Sequence, residues 1–182
     1  LRAEYDIGLR WTAFPLHPET PENGQTLEQL FAGQAVDLDQ LMVRLKQAAQ
    51  EAGVPFSDRT MTYNSRLAQE LAKWAEHQDQ GDEFHCAVFR AYFAQGTNIG
   101  KVQELLDLVR SLGLSEAEAE RVLRERTFKD AVDLDWARSR ELGIRAVPTF
   151  VLGREFLVGA QPYKKLTALM DTAGVRRRRD EK

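Results

Sequence analysis

One cysteine, Cys86, is all the thiol chemistry these 182 residues hold. That excludes an internal disulfide, a Cys-x-x-Cys pair and a multi-cysteine metal site within them. Histidine is nearly as scarce: His17, His77 and His85 show no ligand-like spacing, so no metal site is expected. No apolar run approaches the roughly 18 residues that cross a bilayer, and the N-terminus lacks a basic-then-apolar signal pattern. A cytoplasmic setting is therefore expected. With a net charge of -3 there is no basic field to draw the chain to nucleic acid or an anionic membrane. Internal repeats are absent. The one low-complexity stretch is Arg176–Arg179, within residues 176–182 that are expected to form a solvated, mobile basic tail.

What is present is enough apolar sequence, 43% of residues, to bury a core in one domain or one domain carrying a large insertion. Ile7, Leu9 and Trp11 alternate with Gly8, Arg10 and Thr12, the period of a half-buried strand that ends near Phe14, before a proline-rich exit. From Asp37 the period becomes helical. Asp37 is placed to cap and Gly53 to stop a helix with Leu38, Leu41, Met42 and Leu45 on one face. Asn64 or Ser65 can cap a second helix, and a third over residues 82–94 carries Phe84, Val88, Phe89, Tyr92 and Phe93. Cys86, among these aromatics, is expected to be a buried core side chain. A fourth helix follows Gly100, a fifth opens on the Ser115/Glu118 capping box, and a sixth runs from near Phe128 to Leu142. After Gly143 the period shifts again. Residues 148–152 and 155–158 read as strands around the Gly153-Arg154 turn, and a last helix starts at Pro162.

Three stretches carry a resemblance. Arg10 through Pro21 (Arg-Trp-Thr-Ala-Phe-Pro-Leu-His-Pro-Glu-Thr-Pro), residues 84–93, and Ala146-Val147-Pro148-Thr149-Phe150 with Gly159-Ala160-Gln161-Pro162 resemble the FrnE-type DsbA-like oxidoreductases over nearly the whole chain. The resemblance implies an α/β, thioredoxin-like fold with an inserted all-α domain. Its first strand and first helix are expected to lie outside these residues, because residues 1–5 read as the last turn of a helix entering a strand. The expected organisation is a thioredoxin-like part over 1–36 and 135–175 and an inserted helical domain over 37–134. Strand 7–12 and strand 149–152 are expected not to pair directly.

The resemblance further implies thiol–disulfide exchange through a Cys-x-x-Cys upstream of Leu1, where a helix N-terminus would stabilise the attacking thiolate. No residue of this chain is then a catalytic thiol. Pro148 is the supporting residue. An X-Pro bond is ordinarily trans, whereas the resemblance implies a cis Val147–Pro148 bond that turns the Val147 backbone outward to pair with an extended peptide or thiol compound. Val147, Pro148, Thr149, Gln161, Asn64 and Ser65 are the implied substrate contacts. A plain helix cap explains Asn64 and Ser65 equally well. Where relatives continue with Ala-His, this chain has Ala68-Gln69, which removes acid–base chemistry from that position.

Partners are expected to be protein or small-molecule thiols and disulfides, with a homodimer left open and no cofactor. Alternatives are a glutathione-dependent isomerase or kappa-class glutathione transferase, and a non-catalytic thioredoxin-like binding protein. Glutathione would be the thiol in the first of these, yet Gly159-Ala160-Gln161-Pro162 lacks the Asp-Arg pair that would hold its charged ends.

Overall fold

The computed structural model describes residues 1–178. The chain divides into two compact units: His17–Asp133, and Leu1–Leu16 together with the chain from Leu134 onward.

The first unit is helical. It contains β1 (Gln25–Thr26), α1 (Leu27–Leu30), α2 (Leu38–Glu51), β2 (Met61–Thr62), α3 (Arg66–His77), α4 (Gly81–Ala94), α5 (Val102–Ser111) and α6 (Glu116–Glu125). Asp37 accepts the backbone N–H of Gln40, and Ser115 that of Glu118, so both expected caps form. α3, α4, α5 and α6 each turn a three-to-four-residue apolar stripe inward. Leu71, Trp74, Phe84, Val88, Leu105, Val109, Val122 and Leu123 meet in one buried cluster. α2 contributes little: Ala49 is its one buried residue.

Inside this apolar core lies a charge. The Glu70 side chain is 1% exposed, and its carboxylate accepts hydrogen bonds from Arg66 Nε at 2.6 Å and from Arg126 Nε and Nη2 at 2.7 and 2.6 Å. Arg66 reaches on to Asp133 at 2.6 Å. Arg126 ends α6 in the left-handed conformation, φ +54°, a setting that ordinarily favours glycine.

Residues 17–36, expected with the thioredoxin-like part, belong to the helical unit instead. β1 pairs antiparallel with β2, Gln25 opposite Thr62 and Thr26 opposite Met61. Gly24 makes the approach close: at φ +81°, a Cβ there would stand 2.4 Å from Tyr63 Cδ1.

The second unit contains β3 (Thr149–Leu152), β4 (Glu155–Val158) and α8 (Tyr163–Thr172). It also holds most of α7 (Lys129–Glu141), since the unit boundary falls inside that helix. β3 and β4 form the expected hairpin, Thr149 opposite Val158 and Leu152 opposite Glu155, with Gly153 at φ +61° in its turn. Leu152 and Leu157 face Tyr5, Leu169 and Met170, which are buried. Residues 1–5 do form a turn, with Tyr5 N donating to Leu1 O at 2.8 Å.

The strand expected over residues 7–12 does not form. Alternation makes a segment suited to a strand, but a strand needs a ladder partner, and none runs beside it among the described residues. In keeping with the expectation, residues 7–12 and β3 do not pair. Asp135, 2% exposed, holds the segment from the side, accepting Ala13 N–H at 2.9 Å and Arg10 Nη2 at 3.3 Å.

The expectation of a mobile tail fails for residues 176–178. Tyr5 and Arg177 form an antiparallel bridge, Asp6 N donates to Arg176 O at 2.9 Å, and Arg178 N donates to Glu4 O at 2.8 Å. Arg176 pairs with Asp6, and Arg177 pairs with Asp171 at 2.9 Å while lying over the Tyr5 ring. The arginine side chains remain exposed, but Asp6 and Asp171 each pair with one of them. Residues 179–182 lie outside the described residues.

Candidate functional site

α7 gives way at Gly143, φ +67°, to a loop that carries Arg145, Ala146, Val147 and Pro148 into β3. Hydrogen bonds fasten both ends of this loop. Thr149 Oγ1 donates to Ala146 O at 2.7 Å, and Gly159 N donates to Pro148 O at 2.7 Å, closing the open end of the hairpin. The Val147–Pro148 peptide is cis. Val147 is 44% exposed, and Gln161 stands beyond β4 with Nε2 donating to Val158 O at 2.6 Å. The structure thus brings Val147, Pro148, Thr149 and Gln161 to one end of the hairpin.

An open cleft of about 320 Å³ adjoins the loop, lined among others by Leu142, Ile144, Arg145, Thr149, Phe156 and Val158. Phe156 and Val158 share the sheet face of Thr149 and Val151, and Val151, Phe156 and Val158 are 41, 42 and 55% exposed. Among the described residues β3 pairs with β4 alone. The loop end of the hairpin thus presents an apolar surface beside the exposed Val147, which suits an extended peptide.

Asn64 and Ser65 belong to the helical unit. Both amide hydrogens of Asn64 are engaged, donated to Pro18 O at 3.1 Å and Thr20 O at 2.8 Å, while its Oδ1 accepts Arg66 N at 2.9 Å. Asn64 therefore starts α3 and fastens the proline-rich segment to it. Ser65 makes no cap bond, and its hydroxyl accepts from Gln69 Nε2 at 3.0 Å.

Cys86 is exposed, against the expectation of burial. α4 buries Phe84, Val88 and Ala91, and a residue two positions from Phe84 and from Val88 points some 200° away around a helix. His85 is largely covered. Burial pushes its imidazole below its ordinary pKa, against the pull of Glu76, 3.6 Å away. Desolvation likewise lowers His17. The Glu70 cluster was not foreseen, although Arg66 and Glu70 stand at the i,i+4 spacing of a helical ion pair.

Over residues 1–171 the sequence matches the DSBA-like thioredoxin domain. The chain belongs to that family. This DsbA-like chain is thus a member of a family of thiol oxidoreductases with an α/β, thioredoxin-like fold. It is 26% identical over 163 residues to the uncharacterized protein YwbO of Bacillus subtilis (strain 168), covering 85% of this chain and 76% of YwbO. A probable DsbA oxidoreductase from Streptomyces coelicolor has the same fold, with a TM-score of 0.80 and 24% identity over 90% of this chain and 74% of that one. A 2-hydroxychromene-2-carboxylate isomerase aligns with a TM-score of 0.64 and 25% identity, covering 75% of this chain and 66% of the isomerase. Among the described residues, no helix is long and apolar enough to cross a membrane.

Proposed function

We propose that this DsbA-like chain takes part in FrnE-type thiol–disulfide exchange, as a protein disulfide oxidoreductase or isomerase. The observation that carries the reading is the proline loop, whose Val147 stands exposed beside an apolar cleft. Val147, Pro148 and Thr149 hold a substrate thiol or disulfide segment in extended form, with Gln161 as a further contact.

The attacking pair is assigned to a Cys-x-x-Cys upstream of Leu1, because Cys86 is the sole thiol of residues 1–182 and has no resolving partner. One thiolate of that pair attacks a substrate sulfur, forms a mixed disulfide and releases the other substrate sulfur as thiolate. The second cysteine then displaces the first substrate sulfur, leaving the pair oxidised and the substrate reduced by two electrons. No cofactor enters, and the setting proposed is the cytoplasm, with neither nucleic acid nor membrane as partner.

Insulin reduction tests this. Residues 1–182 alone are expected to be inactive, and the same residues joined to an N-terminal segment bearing Cys-x-x-Cys are expected to turn over. Turnover by the isolated chain, with Cys86 its only thiol, would refute the reading. The likeness to an isomerase favours one second reading, a glutathione-dependent isomerase. Saturable glutathione binding at the proline loop, with no gain of insulin reduction from the longer chain, would select it.

A further inference from the structure

Among the described residues two arginines are half-buried, Arg59 and Arg66. Arg66 is held by the carboxylates of Glu70 and Asp133. Among the described residues no carboxylate pairs with Arg59. Its guanidinium carbon lies over the rings of Tyr92 and Phe93, 4.6 and 5.0 Å from their centroids, and its Nε is buried without a hydrogen-bond partner. Asp58, its neighbour in sequence, is turned to Lys46.

Aromatic faces attract a cation but accept none of its five in-plane N–H donors as an oxygen would. A buried donor left unmade keeps its full desolvation cost with nothing to offset it. Such a group calls for a missing partner. The arm is also held in place. Ser57 N donates to Phe93 O at 2.9 Å, and Thr62 Oγ1 lies 3.0 Å from the Tyr92 hydroxyl, so the segment bearing Arg59 is fastened to α4 on both sides. The aromatic strip runs on along α4 from Phe93 to Phe89, ring centroids 6.3 Å apart, and Phe89 is 45% exposed.

We infer that Arg59 and the aromatic strip of Tyr92, Phe93 and Phe89 form a binding site for a carboxylate carried on an apolar body. The planar guanidinium fork matches a planar carboxylate, and the exposed ring beside it covers the apolar part. Arg90, three residues before Phe93 on α4, adds a second positive charge to the same helical strip. This site belongs to the helical unit, and it is a different site from the one proposed for thiol chemistry.

The test is an NMR titration of the full chain, following the Nε–H signals of Arg59 and Arg66 at constant ionic strength. Sodium benzoate is expected to shift the Arg59 signal saturably while the Arg66 signal stays fixed. Acetate should need about tenfold more for half-saturation, the apolar contact being lost. Inorganic phosphate should produce no saturable shift. In Arg59→Lys, benzoate perturbation of the Phe89 and Phe93 ring signals should disappear. Should that variant fail to fold, the wild-type titration decides alone, with Arg66 as its internal reference. Equal movement of both arginines, equal potency of benzoate and acetate, or saturation by phosphate would each overturn the assignment.

Discussion

The two units of this chain cohere by different means. In the helical unit, side chains from α3, α4, α5 and α6 fill one apolar cluster around Leu71, Phe84, Leu105 and Val109. In the hairpin unit the comparable cluster has three buried residues, Tyr5, Leu169 and Met170. Polar ties between distant stretches supplement it: Asp135 to Ala13, Tyr5 to Asp171, and Arg176 to Asp6. Apolar burial scales with area and is indifferent to salt, whereas exposed ion pairs are individually weak and screened. Among the described residues the helical unit thus holds the larger apolar core, and the hairpin unit, which carries the proline loop, relies more on polar ties.

The largest effect that would break this contrast belongs to Phe84→Ala, which empties the middle of the helical core. It should cost about 3–5 kcal/mol, read by urea unfolding with Trp74 fluorescence as the probe. An effect near zero would mean that the cluster does not carry the unit. Glu70→Gln sharpens the comparison from within, because it removes a buried charge that two guanidiniums require. A loss of about 2–3 kcal/mol is expected, moderated by the partial exposure of Arg126.

The same residue sets a pH dependence. Burial alone would raise the Glu70 carboxyl, but hydrogen bonds from Arg126 and Arg66 outweigh it and hold the group below its ordinary 4.5. Its contribution is complete above about pH 4.5 and is lost as the pH falls through the lower folded value. Acid titration of the wild type should therefore show a fall in stability that Glu70→Gln lacks.

In the hairpin unit, Asp135→Ala should cost about 1–3 kcal/mol by leaving Ala13 N–H without its acceptor. Faster amide hydrogen exchange at Ala13, with exchange in α5 unchanged, is the reading that checks it. Smallest is Cys86→Ser, expected within about 0.5 kcal/mol of the parent because the residue is exposed. A thiol reagent should modify Cys86 in the native chain at the rate of an unfolded control. Protection of that thiol would return it to the core.

Where local chemistry decides structure, the sequence was readable. The Asp37 and Ser115 caps, the helical stripes from α3 to α6, the Gly153 turn and the Pro148 loop all lie within a few residues of the features that produce them. Pairings between distant residues were not readable. β1 and β2 are two residues each and exist because Gln25 finds Thr62, which no local period announces. Glu70 meets Arg126 across 56 positions, and Arg176 meets Asp6 across 170. The alternation over residues 7–12 was real, but a ladder is a property of two segments. Cys86 differs from these. Helical arithmetic from Phe84 and Val88 already placed it outward, and the aromatic company around it outweighed that arithmetic.

Two incompatible requirements meet at Arg126. The end of α6 asks for a residue without a β-carbon, while the interior carboxylate of Glu70 asks for a long planar cation, and one position answers both. Replacing Arg126 by glycine, as helix-terminating preference alone would recommend, would relax the backbone but take from the buried Glu70 one of its two guanidinium partners. Consensus engineering at this position would thus weaken the fold by following a sound local rule.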